Sequence, residues 1–264
     1  MKTSTFIFYF TTLFFAIACS STEQKNGTKD SLTDLSDSTL VDKNSIVVAQ
    51  KDSTIPLSLN SSALAKSINY KGDFKEAWTW YDLNGANFLV LSSNRITKKG
   101  DENFDDENTQ ELFAKHYVIR SSNLNPELLW EMYDLEKECA FDLTADFILS
   151  PVITDLDNDG IKESFIVYKL ACRSDVSPAR MKVVVHENKN KYTLRGSMYI
   201  KMNPEEDSVS VENWEPNLSK FNSTDKNYSV SWGRYENEKE FISAPVVFLD
   251  KAKALWLENF IETL

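Results

Sequence analysis

The chain has 264 residues, and its 40 acidic and 29 basic side chains give a net charge of −11 at pH 7. Hydrophobic residues make up 42% of it, which is ordinary for a globular protein of one or two domains. The 16 Phe, 10 Tyr and 6 Trp can fill a core, so the composition excludes a wholly disordered chain. The acidic balance argues against nucleic acid as a partner, because contacts to phosphate need Lys or Arg.

The first eighteen residues have the features of an export signal. Lys2 gives a short positive region, and residues 6–18 are apolar apart from two threonines. This stretch is too short to span a bilayer, so we predict a cleaved signal peptide over residues 1–18. The small residues before Cys19 resemble a bacterial lipobox, in which the cysteine is acylated and becomes the new N-terminus. The alternatives are an ordinary secretory signal that contains a cysteine, or a buried apolar strand.

The lipobox resemblance also implies a location. A residue that carries two or three acyl chains is anchored stably in a membrane, whereas a single chain is not enough. We therefore expect a lipid-anchored protein of the cell envelope, held in the outer membrane on its periplasmic or its surface side.

Residues 19–65 have the composition of a flexible tether, rich in Ser, Thr, Asp, Asn and Lys and without aromatic residues. Ser31, Ser38 and Ser53 each follow an Asp and precede Leu or Thr. These triplets resemble the Asp-Ser/Thr-apolar sequon of Bacteroidota protein O-glycosylation. The resemblance predicts glycans on the three serines, although the same residues are common in any polar linker.

Residues 66–264 contain the pattern of a β-rich domain, most clearly around Asn84-Gly85. This dipeptide separates two strand-like runs, and it is typical of a type I′ hairpin because both turn positions need positive φ. The predicted register pairs Trp80 with Leu89 and Tyr81 with Phe88. Both faces of the hairpin are apolar, which predicts that it lies between two layers. One face is expected to carry Trp78, Trp80, Leu89 and Leu91, and the other Tyr81, Phe88 and Val90.

The remaining pattern predicts more strands and one helix. The strands are expected over residues 113–120, 128–133, 147–153, 164–170, 181–186 and 192–199, with a turn at 188–190. Leu249, Ala252, Trp256 and Phe260 recur at helical spacing, which predicts an amphipathic helix over 245–262. The fold class is therefore mainly β, in antiparallel sheets arranged as a β-sandwich or like part of a propeller, with a C-terminal helix.

Cys139 and Cys172 are the two cysteines that remain after lipidation. In an oxidising compartment they are expected to form a disulfide, because they flank two predicted neighbouring strands. Two buried free thiols are the alternative.

Residues 155–163 carry the one motif with definite chemistry. Asp155, Asp157 and Asp159 alternate, so a curled loop can aim three carboxylates at one centre, and calcium is the cation that prefers such oxygen ligands. Gly160 permits the sharp backbone turn that lets the carbonyl of Ile161 complete the shell, and Glu163 can ligate directly or through water. The loop resembles the DxDxDG loops of FG-GAP β-propeller repeats, and it predicts a structural calcium ion. An Asx-rich turn that binds nothing is the alternative.

The familiar catalytic motifs are absent from the sequence. His116 and His186 fall inside predicted strands, where structural histidines are commoner than general bases. Asp134, Glu136 and Glu138 could join a carboxylate pair for glycoside hydrolysis, although a solvated strand face explains them better. The six tryptophans are expected to pack in the core rather than to form platforms for sugars.

Residues 75–92, 150–169 and 172–196, taken in this order, resemble a family of flavobacterial envelope proteins named for a role in surface polysaccharide (lipopolysaccharide) biosynthesis. The resemblance covers about residues 66–200 and provides no catalytic residues. It implies a non-enzymatic lipoprotein that binds an envelope glycan or another envelope protein. The rival hypothesis is a hydrolase that acts on envelope glycans through paired carboxylates, and a third is a purely structural lipoprotein.

Overall fold

The structure is a computed structural model that describes residues 55–56, 68–201, 211–221 and 228–263. The predicted signal peptide, the lipidation site at Cys19 and the serines at positions 31, 38 and 53 lie outside the described residues. The tether also lies outside them, except for residues 55–56.

Sheet 1 is an antiparallel meander in which each strand pairs with the next one along the chain. Its strands are β1 (Ile55–Pro56), β2 (Asp73–Asp82), β3 (Gly85–Lys98), β4 (Glu107–Arg120) and β5 (Asn123–Cys139).

Sheet 2 is also antiparallel and is built around a central strand. Its strands are β6 (Asp142–Phe147), β7 (Val152–Thr154), β8 (Glu163–Arg173), β9 (Arg180–Glu187) and β10 (Asn190–Ser197). One edge of β8 pairs with β9, which pairs with β10. β6 and β7 share β8 as a partner at different positions along its length.

The C-terminal part adds the helical elements and a small parallel sheet. The sheet pairs β11 (Tyr199–Lys201) with β12 (Ile261–Thr263), and helix α1 covers Val246–Asn259. Four 3-10 helices lie at Val211–Asn213, Leu218–Lys220, Tyr228–Ser231 and Lys239–Phe241. In the part of the chain described, no helix is both long and apolar enough to cross a membrane.

The two sheets pack face to face around an inter-sheet core, and the predicted fold class is confirmed. Sheet 1 contributes Trp80, Leu89, Leu91, Leu112, Ala114, Val118, Trp130 and Met132, and sheet 2 contributes Ala145, Ile166, Tyr168, Leu170 and Val184. The opposite face of sheet 2 is covered by α1, which buries Phe248, Ala252, Leu255 and Trp256. β8 is therefore buried on both faces, which explains why the run from Ser164 to Tyr168 shows no polar alternation.

The predicted register of the β2–β3 hairpin is wrong by two residues. Trp80 lies opposite Asn87, and Tyr81 lies opposite Ala86. Because side chains alternate with a period of two, a shift of two residues leaves each one on its predicted face. Trp80 and Leu89 accordingly face the inter-sheet core, whereas sheet 1 turns Phe88 and Val90 toward a separate outer cluster.

The register differs because the turn uses other residues than predicted. Asp82 and Gly85 form the closing pair, so Leu83 and Asn84 occupy the tip. The Asn84 N–H donates to Asp82 Oδ1 at 2.8 Å, which makes an Asx turn. Gly85 alone takes positive φ (123°), whereas a type I′ turn at Asn84-Gly85 would need it at both positions.

The other predicted strands lie within observed strands, with two exceptions. The strand predicted over residues 192–199 runs too far, because β10 ends at Ser197 and β11 begins at Tyr199. The strand predicted over residues 147–153 is wrong, because β6 ends at Phe147 and β7 begins at Val152. Pro151 lies in the connection and has no N–H to donate to a sheet. The turn predicted at residues 188–190 does join β9 to β10, and Asn188 adopts positive φ there (51°).

The predicted helix is present, but the predicted end at residue 262 is wrong. The helix stops at Asn259, whose side-chain Nδ2 donates to the Leu255 carbonyl at 2.8 Å. The chain then becomes β12, and the buried Glu262 accepts hydrogen bonds from Lys169 (2.9 Å) and Arg173 (3.0 Å) of β8. These two cations hold the last described residues against the central strand.

A disulfide between Cys139 and Cys172 joins the two sheets, as the sequence analysis predicts. Cys139 ends β5 in sheet 1 and is fully buried, whereas Cys172 lies in β8 of sheet 2. The bond therefore fixes one end of the sandwich.

Replacing both cysteines by serine should lower the free energy of unfolding by about 3 to 4 kcal/mol, because the bond closes a loop of 33 residues in the unfolded chain. Urea unfolding of the variant and of the oxidised protein measures the difference. Thiol titration of the unfolded, unreduced protein is the control and should find no free group at these positions. Two free thiols would contradict the bond.

Candidate metal centre

The predicted calcium loop connects two antiparallel strands. Thr154 of β7 pairs with Glu163 of β8, and the intervening residues form the loop. The chain turns sharply at Asn158 (φ 60°) and Gly160 (φ 84°). Gly160 meets the predicted need for a flexible residue, since positive φ strains a residue that carries a Cβ.

The loop brings together the three aspartates that the sequence singles out. One carboxylate oxygen from each of Asp155, Asp157 and Asp159 lies within 4.8 Å of the others. Backbone N–H groups hold the curl, because Ile161 donates to Asp159 Oδ1 (2.7 Å) and Asp159 donates to Asp157 Oδ1 (3.3 Å). The loop thus aims three carboxylates at one point, and Ile161 lies in it directly before the return strand.

A second acidic group shares Asp157 and includes a residue that sequence reasoning missed. Oxygens of Asp157, Glu163 and Glu187 also lie within 4.8 Å of one another. Glu187 ends β9, and the pairing of Ser164 with His186 places it beside Glu163 on the neighbouring strand. Only that register brings a residue 24 positions from Glu163 into the site. The sequence offered one signal for Glu187, which is that it lies directly before the predicted turn at residues 188–190.

Glu163 is held in place by a fixed set of donors. Its side chain is fully buried, and it accepts hydrogen bonds from Thr154 Oγ1 (2.9 Å) and from the Leu156 N–H (3.1 Å). Burial raises the pKa of Glu163 to about 7 despite these bonds, and the nearby Asp157 adds to the rise. Like charges this close are unfavourable unless a cation neutralises them.

Two oxygens of the site have unmet hydrogen-bonding capacity. Asp155 Oδ1 and Glu187 Oε1 are buried and have no hydrogen-bond partner among the described residues. Burial raises the pKa of Glu187, and the charges of Asp159 and Asp157 raise it further. Buried oxygens without donors, next to other carboxylates, have the chemistry of ligands for a hard cation. The residues present therefore fit a calcium ion.

The tip of the β2–β3 hairpin packs against this loop. The Leu83 N–H donates to the Gly160 carbonyl at 2.9 Å, and the Lys162 N–H donates to Asp82 Oδ2 at 3.2 Å. The Asn84 amide also reaches the β9–β10 turn, where it donates to Asn188 Oδ1 at 2.7 Å. Three turns from two sheets therefore meet beside the carboxylates.

The two histidines lie in the core. His116 packs between Trp80 (ring centroids 4.9 Å apart) and Trp130 (5.3 Å), and its Nε2 lies 2.9 Å from Asn87 Oδ1. His186 stacks on Trp130 at 3.9 Å. Burial lowers the pKa of both rings to about 3, so they are neutral and weakly basic at physiological pH. None of the six tryptophans is among the exposed large side chains.

The acidic residues considered for glycoside hydrolysis are used elsewhere. Asp134 forms an ion pair with Lys182, and Glu136 forms one with Arg180. Glu138 is exposed at the end of β5. Cations thus neutralise two of the three carboxylates that the rival hypothesis would need as an acid and a base.

No protein-family model, curated protein or solved structure matches this chain. The family resemblance drawn from the sequence blocks therefore stays a prediction.

The burial of His116 makes stability depend on pH. The ring has a pKa of about 3 in the folded protein against 6.5 ordinarily, so the folded state resists protonation. Its contribution to stability is complete above pH 6.5 and is lost toward pH 3, at up to about 1.4 kcal/mol per pH unit. His116→Phe keeps the ring between the tryptophans and should flatten the curve of unfolding free energy against pH by this slope.

Urea unfolding between pH 7 and pH 4 measures this slope in both proteins. The carboxylates contribute to both curves and their shared part cancels, while His186 stays buried in the variant and keeps a slope of its own there. The variant leaves Asn87 Oδ1 without its donor and should be less stable at every pH, so the slope is the informative quantity. Parallel curves would count against the prediction.

Proposed function

We propose that this protein is a lipid-anchored lipoprotein of the cell envelope that acts by binding and not by catalysis. In this proposal a structural calcium ion stabilises its β-domain. The observation that supports the calcium ion is the convergence of carboxylates from two neighbouring strands and their loop, with two buried oxygens that lack a donor among the described residues.

The ligand set favours calcium over other metals. The two acidic groups together supply five carboxylates, from Asp155, Asp157, Asp159, Glu163 and Glu187, and contain no histidine or cysteine. Calcium takes six to eight oxygen ligands in flexible geometry, whereas zinc prefers nitrogen and sulfur. The carbonyl of Ile161 is the backbone ligand that the loop is expected to add.

A structural role for the ion is supported by what the site connects. Asp155, Asp157 and Asp159 belong to the loop, Glu163 begins β8, and Glu187 ends β9. An ion shared by these groups would remove the repulsion between adjacent strands and fix the loop on which the hairpin tip rests. The full burial of Glu163 keeps a substrate away from its oxygens, which supports structure over catalysis.

The location and biological role rest on the sequence. The lipobox-like segment ending at Cys19 supports export and lipid attachment. The resemblance of three sequence blocks to flavobacterial envelope proteins supports a role in surface polysaccharide or lipopolysaccharide biosynthesis or display. The domain would bind an envelope glycan or another envelope protein. The hydrolase alternative is weaker, because Asp134 and Glu136 are engaged in ion pairs and both histidines are buried and neutral.

Calcium should raise the melting temperature relative to EDTA, because an ion at a hundred times its Kd adds about 2.7 kcal/mol of stability. Asp157→Ala should abolish the rise, since Asp157 belongs to both acidic groups. Glu187→Gln should reduce it, although Glu187 lies outside the sequence motif. In EDTA the Gln variant should be at least as stable as the wild type, because one repelling charge is gone. Differential scanning calorimetry measures all three proteins.

Asp175→Ala is the control, since Asp175 is an exposed aspartate between β8 and β9, away from the acidic groups. It should retain the full calcium response. Equal melting temperatures of the wild type in calcium and EDTA would refute the ion. A full response in Glu187→Gln would limit the site to the loop.

Deleting the gene should shorten or remove the ladder of surface polysaccharide on a silver-stained gel. Wild-type protein should restore the ladder, and Asp157→Ala at the same protein level should not, because the domain would lack its calcium. Asp175→Ala should restore it fully. An unchanged ladder in the deletion strain would leave the polysaccharide role without support.

A further inference from the structure

A cavity of about 420 Å³ with a basic wall lies beside β9 and β10. Its lining includes four cations, Arg180, Lys182, Arg195 and Arg234, and one acid, Glu236. Cations are in the minority in this chain, with 29 basic against 40 acidic side chains. Four of them around one cavity therefore form a local positive region on an acidic protein.

The strand register places three of these cations together. Arg195 of β10 lies directly opposite Lys182 of β9, and Arg180 is two residues from Lys182 on the same face. Like charges directly opposite each other destabilise a sheet. Ion pairs of Lys182 with Asp134 and of Arg195 with Glu240 offset part of this repulsion, and an anion in the cavity would lower what remains.

Arg195 is the cation of the three that can turn toward a ligand at the least cost, whereas Arg180 would meet a ligand while it stays paired. Arg180 pairs with Glu136, and Arg195 pairs with Glu240, but neither carboxylate lines the cavity. The side chains of Arg180 and Arg195 are 58% and 45% exposed. Glu240 is also exposed (41%), so its pair with Arg195 contributes little net free energy, whereas Glu136 is only 15% exposed.

Lys182 is the least exposed of the three cations (27%), and it is held firmly by its ion pair with Asp134. Burial opposes ionisation of Asp134, but hydrogen bonds from Lys182 and Tyr168 outweigh this and lower its pKa. Lys182 therefore adds positive charge to the lining of the cavity while it stays paired with Asp134.

Arg234 is the fixed cation of the cavity. Its guanidinium stacks between the rings of Trp214 (4.2 Å) and Phe221 (4.0 Å). Nε donates to the Glu215 carbonyl at 3.0 Å, and Nη1 donates to the Val230 carbonyl at 2.8 Å. Among the residues that the structure describes, no carboxylate forms an ion pair with Arg234, and Nη2 has no acceptor. Burial lowers the pKa of Arg234, and the charge of Glu215 offsets this only in part, so an anion bound directly to the guanidinium would stabilise it.

The backbone around Gly196 holds Arg234 at the cavity. The Ser197 N–H donates to the Arg234 carbonyl at 3.1 Å, and the Glu236 N–H donates to the Arg195 carbonyl at 2.8 Å. A Cβ at Gly196 would lie 2.0 Å from the Arg234 carbonyl oxygen, so only glycine allows this approach. The segment that carries Arg234 is therefore fastened along the edge of β10.

We propose that this cavity binds an acidic sugar, with a carboxylate or phosphate against Arg180, Arg195 and Arg234. The identification of the ligand as a sugar rests on the proposed role in surface polysaccharide, whereas its negative charge follows from the cavity itself. The volume falls within the range of small-molecule sites. Leu218 lines the same cavity and offers apolar contact to the carbon face of a sugar ring.

Isothermal titration calorimetry of the full chain in detergent and calcium tests this with trigalacturonate, glucose 1-phosphate, maltotriose and inorganic phosphate. At least one of the two acidic sugars should bind, and neutral maltotriose should bind roughly tenfold more weakly or not at all. The double variant Arg180→Gln/Arg195→Gln should weaken the acidic sugar roughly tenfold or more, because each charge-assisted hydrogen bond contributes about that factor. Arg234→Lys should also weaken it, since lysine keeps the charge but loses the planar fork.

The matched control is Lys98→Gln/Arg120→Gln, which removes two exposed cations that pair with Glu107 and Glu127 away from the cavity. It makes the same change in net charge and should bind the acidic sugar like the wild type. Equal loss in the control and the cavity variant would overturn the proposal, because it would reduce binding to overall charge. Equal affinity for maltotriose, or binding of inorganic phosphate but of neither acidic sugar, would also overturn it.

The binding assay and the gel of the deletion strain separate two kinds of failure. A changed ladder with no binding of either acidic sugar would refute the cavity and leave the polysaccharide role standing. Binding that depends on Arg180 and Arg195, together with an unchanged ladder, would support the cavity and remove that role.

Discussion

The burial of β8 on both faces is the constraint on which the rest of the structure depends. One face packs against sheet 1, the other packs beneath α1, and its two edges are paired with β6, β7 and β9. The strand begins with Glu163, so the hydrophobic energy that buries the strand also buries this carboxylate. Thr154 and Leu156 supply donors to it, and the loop and Glu187 surround it with further negative charge. The carboxylates are thus held together by the packing of a strand whose interior is apolar.

Local patterns in the sequence were enough to predict much of this architecture. Alternation predicted which face of the hairpin each of Trp80, Leu89 and Phe88 occupies, because period-two alternation does not depend on the exact register. The Asp-rich loop was recognisable because its three aspartates and Gly160 lie within six residues. The helix was recognisable from its buried stripe, although Asn259 ends it earlier than the apolar spacing suggests.

Features that depend on distant partners could not be read from the sequence. Glu187 joins the acidic site only because β9 pairs with β8 in one register. The hairpin turn depends on the Asp82 side chain, which accepts a hydrogen bond from the Asn84 N–H. This Asx turn replaces the type I′ turn that Asn-Gly usually favours. Arg234 reaches the basic cavity through aromatic stacking and the close approach at Gly196, and neither leaves a pattern of fixed period. Such contacts follow from tertiary packing, and one sequence without its fold does not reveal them.

The parallel pairing of β11 with β12 has a consequence for the order in which the protein folds. These strands are about 60 residues apart in the chain, and Glu262 of β12 meets Lys169 and Arg173 of the central strand. Closing so long a loop is slow, because its entropy is lost before the contacts form. Every strand of sheets 1 and 2 precedes residue 198, whereas α1, which covers the outer face of sheet 2, and β12 come last in the chain. The helix-side core is therefore the last part to be covered during synthesis, and it is the part most exposed to aggregation while the chain is incomplete.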